Sequence, residues 1–451
     1  MIGIIFTDMS GYHGFGRAAG AYRIASEWRS RGMEVKVVDC FNSFTLNEIK
    51  QIIAKYKTKQ TEFIGFSTTF LNQNSSKSTR ANTSKNKEQL TETAMTVMEQ
   101  NELFSYIKSL KLRILIGGFP NGTNLKDSSI EYYTGPCEDK FFPEFDFTKS
   151  QIYYDTSDHI LEGEDLPIEI ARGCIFKCKF CFYHLNGKKL WEFVKSPETI
   201  KNEMLRNYYD YGTTGYMFSD DTYNDSQEKV ESLMKMYKTL PFDLRFSTYA
   251  RLDLMISKPE TQEMLIESGL KSVFFGIETF NHHAGKIIGK GMDPDKVKRG
   301  LLDFREKYPD VLVAVGMIGG LPNETLDDLD ESHRFLTEEA MVHSTSWSPL
   351  FINSGSEMSL SSNKYGYEKN PDDNRYWTRS DGLKYLDVAD WIAHKRKIRR
   401  GHPGGFTFYN RIHNMGYRHE DILKLTWVNN EQEIFEKTHT HRTRYMQKVL
   451  N

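Results

Sequence analysis

Apolar residues fall along this chain in short runs that alternate with stretches of helical period. Ile2–Thr7 is a compact apolar run, suited to a strand buried on both faces. A Gly-rich loop, Ser10 to Gly16, follows it. Ala21, Ile24, Ala25 and Trp28 then recur at helical spacing, and Gly32 ends the helix. Val35–Val38 predicts a second strand. Thr45 and Glu48 make a capping-box pair that opens a helix with Leu46, Ile49, Ile53 and Tyr56 on one face. Phe63–Phe66 and Leu112–Ile116 predict two more strands, the second ending in Gly117 and Gly118. Between them, Asn72–Lys87 is small or polar throughout, the composition of a flexible surface insertion. A helix from about Glu88 to Leu110 is expected to return the chain to the sheet.

From Asn121 to Leu166 the pattern weakens and acidic and aromatic residues mix, so residues 136–165 are expected to form a linker that packs. Alternation then resumes. Strands are predicted at Pro167–Ala171, Tyr216–Ser219, Leu244–Tyr249, Ser272–Gly276, Val311–Gly316 and Thr345–Leu350. Helical patterns fill the intervals near Glu198–Tyr209, Gln227–Leu240, Glu260–Ser268, Pro294–Tyr308 and Leu326–Glu339. The fold class is therefore α/β. Residues 1–135 form a Rossmann-like unit, and residues 166–350 form six β-α steps, a partial (β/α)6 TIM-like barrel not closed at eight. Residues 351–451 lose the alternation and are expected to be a C-terminal cap on the substrate side.

Composition narrows the class. The chain has 451 residues, 39% of them apolar, and a formal charge of −2 from 59 basic and 61 acidic side chains. That balance gives no global pull toward nucleic acid or an anionic membrane. No apolar run approaches the ~20 residues of a membrane span. The N-terminal strand pattern has no basic segment followed by a cleavage site, so a cytoplasmic protein is expected. Five cysteines in such a length do not make a disulfide framework. Cys40 and Cys137 read as small buried apolar residues.

The other three are close together. Cys174, Cys178 and Cys181 stand as Cys-x3-Cys-x2-Cys. Iron–sulfur clusters are normally held by four thiolates. A three-thiolate site leaves one iron open to a small molecule, the condition for chemistry at a metal. The loop follows the first barrel strand, and such folds place their sites at the carboxyl ends of strands. A zinc site is the alternative, because His184 would complete a Cys3His set of four tetrahedral ligands.

This spacing after a strand, with Phe180 just before the last cysteine, resembles the radical S-adenosylmethionine (SAM) superfamily. The resemblance implies a [4Fe–4S] cluster on the three cysteines, with the amino and carboxylate groups of SAM on the open iron. One electron would split the sulfonium and release a 5′-deoxyadenosyl radical. It further implies Phe180 on the adenine side. Ser219, Asp220 and Asp221 would face the SAM amino end, and Arg251 would pair its carboxylate. Gly276 and Glu278 would lie by the ribose or amino acid portion. Ile318, within Gly316–Glu324, would lie near adenine. Blander roles stand beside these: Asp221 and Glu324 as helix caps, Gly276 and Gly320 as turn residues, Arg251 as a surface ion pair.

The first unit resembles the cobalamin-binding domain that precedes the radical core in one branch of that superfamily. Ser67, Thr69, Gly117 and Gly118 match the positions whose small groups would admit the nucleotide tail. The Asp-x-His-x-x-Gly signature is absent, since four residues separate Asp8 from His13. Cobalamin and a domain that only scaffolds the core both stay open. The resemblance covers roughly residues 1–350. It implies an enzyme that modifies an unactivated carbon, by methyl transfer if cobalamin binds, and that takes electrons from a flavodoxin- or ferredoxin-like reductant. The substrate, a small molecule or a peptide, and any catalytic side chain are not identified. Two rivals remain. A methylthiotransferase would need three further cysteines for a second cluster. A zinc-containing nucleic-acid or partner-binding protein would use Lys395–Arg400 on phosphate, although that run also fits a solvated helix face.

Overall fold

The structure is a computed structural model that describes residues 1–9, 14–67, 97–119, 127–135, 137–182, 193–352, 355–371, 376–398 and 406–451. The expected insertion at 72–87 lies outside the described residues, as do the start of the helix expected from Glu88, His13, Thr69 and His184.

Five parallel strands form the first sheet: β1 (Gly3–Phe6), β2 (Val35–Val38), β3 (Phe63–Ser67), β4 (Arg113–Phe119) and β5 (Glu131–Thr134), in the order β2-β1-β3-β4-β5. Both faces are covered, which is why the central strands read as apolar runs rather than alternating ones. On one face Ala21, Tyr22 and Ala25 of α1 (Ala19–Ser30) meet Ile5, Val35 and Val37. On the other, Ile49, Ile52 and Ile53 of α2 (Leu46–Tyr56) and Leu103 and Ile107 of α3 (Val97–Ser109) meet Ile4, Phe6, Ile64 and Ile114. The capping box forms as read: Thr45 Oγ1 accepts from Glu48 N at 3.3 Å, and Glu48 Oε2 accepts from Thr45 N at 2.7 Å. Strand β5 has no counterpart among the predicted strands. It is a half-buried edge strand, Glu-Tyr-Tyr-Thr, and carries no apolar run.

The segment before the second sheet is held by buried charge. Arg17, fully buried, reaches Glu164 at 2.6 Å and Asp39 at 3.1 Å, and Arg29 pairs with Asp158 at 2.7 Å.

The second sheet has six parallel strands in consecutive order: β6 (Leu166–Glu169), β7 (Gly215–Ser219), β8 (Arg245–Ala250), β9 (Leu270–Glu278), β10 (Leu312–Gly319) and β11 (Ser344–Pro349). The helices on its outer face include α4 (Pro197–Tyr211), α5 (Gln227–Tyr237), α6 (Glu260–Glu267), α7 (His282–Ile288), α8 (Pro294–Lys307) and α9 (Leu326–Arg334). Ile168, Phe218, Phe246, Val273, Phe275, Val313 and Val315 lie in one core with residues of these helices, among them Met204, Leu233, Leu265, Leu301 and Leu329. The six strands and helices α4, α5, α6, α8 and α9 agree with their expected places to within a few residues, α7 has no counterpart among the predicted helices, and the sheet stays open.

The last hundred residues do more than cap. The hairpin β12 (Tyr367–Lys369) and β13 (Trp377–Arg379) sits at the carboxyl end of β10, with Tyr367 Oη on Gly320 O at 2.8 Å and Arg379 on Leu321 O and Glu324 O. Helix α10 (Tyr385–Ile398) lies beside β11. Helix α11 (Phe406–His413) turns the other way. Its Tyr409 and Ile412 cover Leu312 and Ala314, and Asn410 bonds Asp165 Oδ2 at 2.9 Å at the amino end of the barrel. Helix α12 (Trp427–Leu450) returns to the first sheet, where Tyr445 Oη accepts from Asp39 N at 2.9 Å. An open six-stranded sheet leaves its inner apolar face uncovered, and this segment supplies the cover. No helix among the described residues is long and apolar enough to cross a membrane.

Candidate functional site

The cysteine loop leaves β6 at its carboxyl end, and Gly173 turns it with φ of +76°. Its three cysteines are each half-buried. Cys174 Sγ lies 3.2 Å from Thr222 Oγ1, and Cys181 N closes a turn on Cys178 O at 3.0 Å. Three neighbours fix the loop: Lys179 N donates to Ile288 O at 3.0 Å, Met358 N donates to Lys179 O at 3.0 Å, and Lys179 Nζ pairs with Glu357. Phe180 is half-buried against the barrel core. Burial pushes the Cys178 thiol up, and the positive charges of Lys290 and then Arg251 pull it back toward thiolate.

Among the described residues no group of three Cys, His, Asp or Glu side chains is arranged to hold a metal ion. Neutral thiols do not attract one another, so convergence of such a ligand set is expected on metal uptake. The donor set itself, three accessible sulfurs on one loop beside two cations, fits an iron–sulfur cluster.

The strand-end residues divide. Ser219 ends β7 half-buried, and Asp221 is half-buried on the next turn. Asp220 lies between them. It is buried, with Oδ2 on Lys229 Nζ at 2.9 Å and Oδ1 accepting from Thr222 N at 3.0 Å, and Lys229 also pairs with Asp225 at 2.6 Å. Paired in this way, the carboxylate holds the turn that carries Thr222 beside Cys174. Arg251 is paired too. Its fork is taken by Asp253, at 3.0 and 2.5 Å, and its guanidinium lies 4.0 Å over the ring of Phe176. It thus grips the cysteine loop between Cys174 and Cys178.

Gly276 and Glu278 lie together at the end of β9. A Cβ on Gly276 would sit 2.6 Å from Glu278 Oε1. Glu278 has φ of +73°, beside a register shift against β10, a conformation most residues avoid. Burial raises its carboxyl pKa, with Lys290 and Arg251 opposing. Ile318 is half-buried on the side of β10 shared with Leu312 and Ala314. Glu324 is a buried clasp for the following turn. It accepts from Gly320 N at 3.0 Å, Leu321 N at 3.2 Å and Thr279 Oγ1 at 2.7 Å.

Lys290, Phe176, Thr222 and Asp253 were not singled out in the sequence. A lysine after Gly289 resembles an ordinary helix end, and only the fold brings it beneath the loop.

In the first sheet, Gly117 and Gly118 lie inside β4 rather than after it. A Cβ on Gly117 would lie 2.6 Å from Cys137 Sγ, so a side chain already fills the expected opening for a nucleotide tail. Ser67 ends β3 half-buried, and Asp8 accepts from Asn42 N at 2.9 Å. No chemical step is derived through cobalamin.

Comparison with known proteins meets this geometry. Residues 168–336 match the Radical SAM superfamily. A relative from Pyrococcus horikoshii, "Uncharacterized methyltransferase PH0819", is 29% identical over 170 residues, 37% of this chain and 35% of that protein. The match thus spans about a third of that relative's length. Among solved structures, the radical S-adenosylmethionine methyltransferase TsrM from Kitasatospora setae aligns with a TM-score of 0.55 and 14% identity, over 82% of this chain and 78% of that one. The cobalamin-dependent S-adenosylmethionine radical enzyme OxsB, with aqua-cobalamin and S-adenosylmethionine bound, aligns with a TM-score of 0.52 and 14% identity, over 99% and 72%. At that identity the two likenesses concern the fold. The middle of this chain, residues 168–336, thus matches the radical SAM domain and stands behind a five-stranded parallel sheet.

Proposed function

We propose that the chain is an enzyme that cleaves SAM reductively and uses the resulting radical to modify an unactivated carbon of a small-molecule or peptide substrate. The observation that carries this reading is the three-cysteine loop at the carboxyl end of β6, flanked by Arg251 and Lys290, within the matched domain. When bound, the cluster supplies one electron to the sulfonium, which breaks a carbon–sulfur bond and yields methionine and a 5′-deoxyadenosyl radical. The chain's own residues place and shield. Cys174, Cys178 and Cys181 are the ligands. Phe176 under Arg251 and the backbone bond from Lys179 to Ile288 hold the loop at one height above the sheet. Ser219, Gly276, Glu278 and Ile318 line the neighbouring strand ends, the side from which SAM would approach, and Phe180 covers the loop's inner flank. The electron comes from an external reductant of the flavodoxin or ferredoxin kind, in a cytoplasmic setting.

Protein reconstituted without oxygen is expected to be brown and to release 5′-deoxyadenosine from SAM under dithionite. Cys178→Ala is expected to stay folded and colourless. A clustered preparation that never releases 5′-deoxyadenosine would refute the reading, and zinc in place of iron would favour the Cys3His alternative.

Methyl transfer is the second reading, favoured by the methyltransferases among the relatives and by the sheet layout. Cys137 against Gly117 opposes it, and cobalt analysis of protein purified without oxygen decides. The methylthiotransferase reading is disfavoured by the remaining cysteines. Cys40 follows β2 and Cys137 lies against β4, three strands further across the sheet, about 14 Å at ordinary strand spacing.

A further inference from the structure

The turn that ends α7 is seated on the cysteine loop. Lys179 N donates to Ile288 O at 3.0 Å. Gly289, at φ of +86°, comes so close that a Cβ there would lie 3.8 Å from Cys178 Cα and 3.9 Å from Lys177 O. The next residue, Lys290, is fixed by its N–H on Gly285 O at 2.8 Å and sends Nζ back to the end of β9, where it donates to Gly276 O at 2.6 Å. A Cβ on Gly276 would lie 4.0 Å from that Nζ and 2.6 Å from Glu278 Oε1. Lys290, Gly276, Glu278 and Cys178 therefore form one compact group.

The charges of this group are not equal. Arg251 is neutralised by the two-pronged bond to Asp253. The hydrogen bond described for Lys290 is to a carbonyl, and the carboxylates of Glu278 and Asp253 act on its charge only from further off. Glu278 makes no hydrogen bond or ion pair among the described residues, and it too faces Lys290. Reducing an iron–sulfur cluster adds one negative charge, and a nearby cation at a site of low dielectric stabilises the more negative state.

We propose, resting on the radical SAM reading above, that Lys290 is a positioning residue for the cluster. It ties the Gly276–Glu278 strand end beneath the cysteine loop and sets a positive charge beside Cys178 that eases cluster reduction. A lysine that merely finished α7 would leave the cluster's potential where it was.

The test is an EPR-monitored redox titration of the reconstituted wild type, Lys290→Met, Lys290→Arg and Glu278→Gln. Lys290→Met is expected to bind iron and to move the midpoint to more negative potential by about tenfold in the reduction equilibrium, about 59 mV for a one-electron couple. Lys290→Arg is expected to restore most of it, and Glu278→Gln to move the midpoint the opposite way. A clustered Lys290→Met with the wild-type midpoint overturns the proposal. So does an unmoved Glu278→Gln if Lys290→Met fails to accumulate. A wild type that takes up no cluster overturns the radical SAM reading itself, so the two failures are distinguishable.

Discussion

Glu324 shows what burial does to a single carboxyl. Burial pushes its pKa up to about 8, although Thr279 and two backbone amides donate to it. Its ordinary value is 4.5, so between that pH and about 8 the folded chain holds a proton that the unfolded chain releases. Stability from this group is complete below pH 4.5 and falls as pH rises through about 8. Urea denaturation across that range is expected to show the decline, and Glu324→Gln, which keeps an acceptor without the charge, is expected to flatten it. The sequence placed Glu324 correctly at the end of the fifth barrel strand and allowed it a capping role. It could not show the depth of burial. Asp220 makes the same point in reverse. Its position after β7 was legible, but its direction was not, because Lys229 claims it from a helix nine residues on. The three cysteines needed no fold to be noticed, since their spacing alone marks them as ligands.

At the scale of elements, local pattern and tertiary structure agree wherever an element is buried on both faces or carries a cap. The capping box at Thr45 is such a case. Thr45→Ala is expected to lower stability by about 1 kcal/mol in urea denaturation, with Thr45→Ser close to wild type. Strand β5 escaped because an edge strand buries only part of its surface, and its acidic and tyrosine residues match no strand template. The strand is expected to end in Gly117 and Gly118, because paired glycines usually end a strand. Here β4 continues through them, with Gly118 at φ of +95° and a register shift against β5. Helix α9 runs on as a wider turn over Phe335–Glu339, which the helical period expressed as one longer helix.

At the scale of the whole molecule, the C-terminal helices bind the two sheets together. Asn410 and Asn414 hold Asp165 beneath the barrel, Thr438 accepts from Gly14 N at 2.9 Å, and Val449 O accepts from Lys55 and Tyr56. Ending the chain before Phe406 removes these bonds and uncovers Leu312, Ala314 and Phe15. The truncated protein is expected to aggregate on expression. A soluble truncated monomer with an unchanged melting temperature would show that the segment is dispensable.

By itself the amino-acid order determined the strands and helices other than β5 and α7, the order of the two parallel sheets along the chain and the close spacing of three cysteines, because apolar period, caps and residue spacing are local properties. Only the tertiary structure decided which charges face the cysteine loop. Asp220 turns into the core, Arg251 closes on Asp253, Cys137 fills the space above Gly117, and Lys290 arrives beside Cys178 from a helix more than a hundred residues later. Each of those outcomes depends on side-chain direction and on contacts between distant segments, and neither is written in the spacing of residues along one strand or helix.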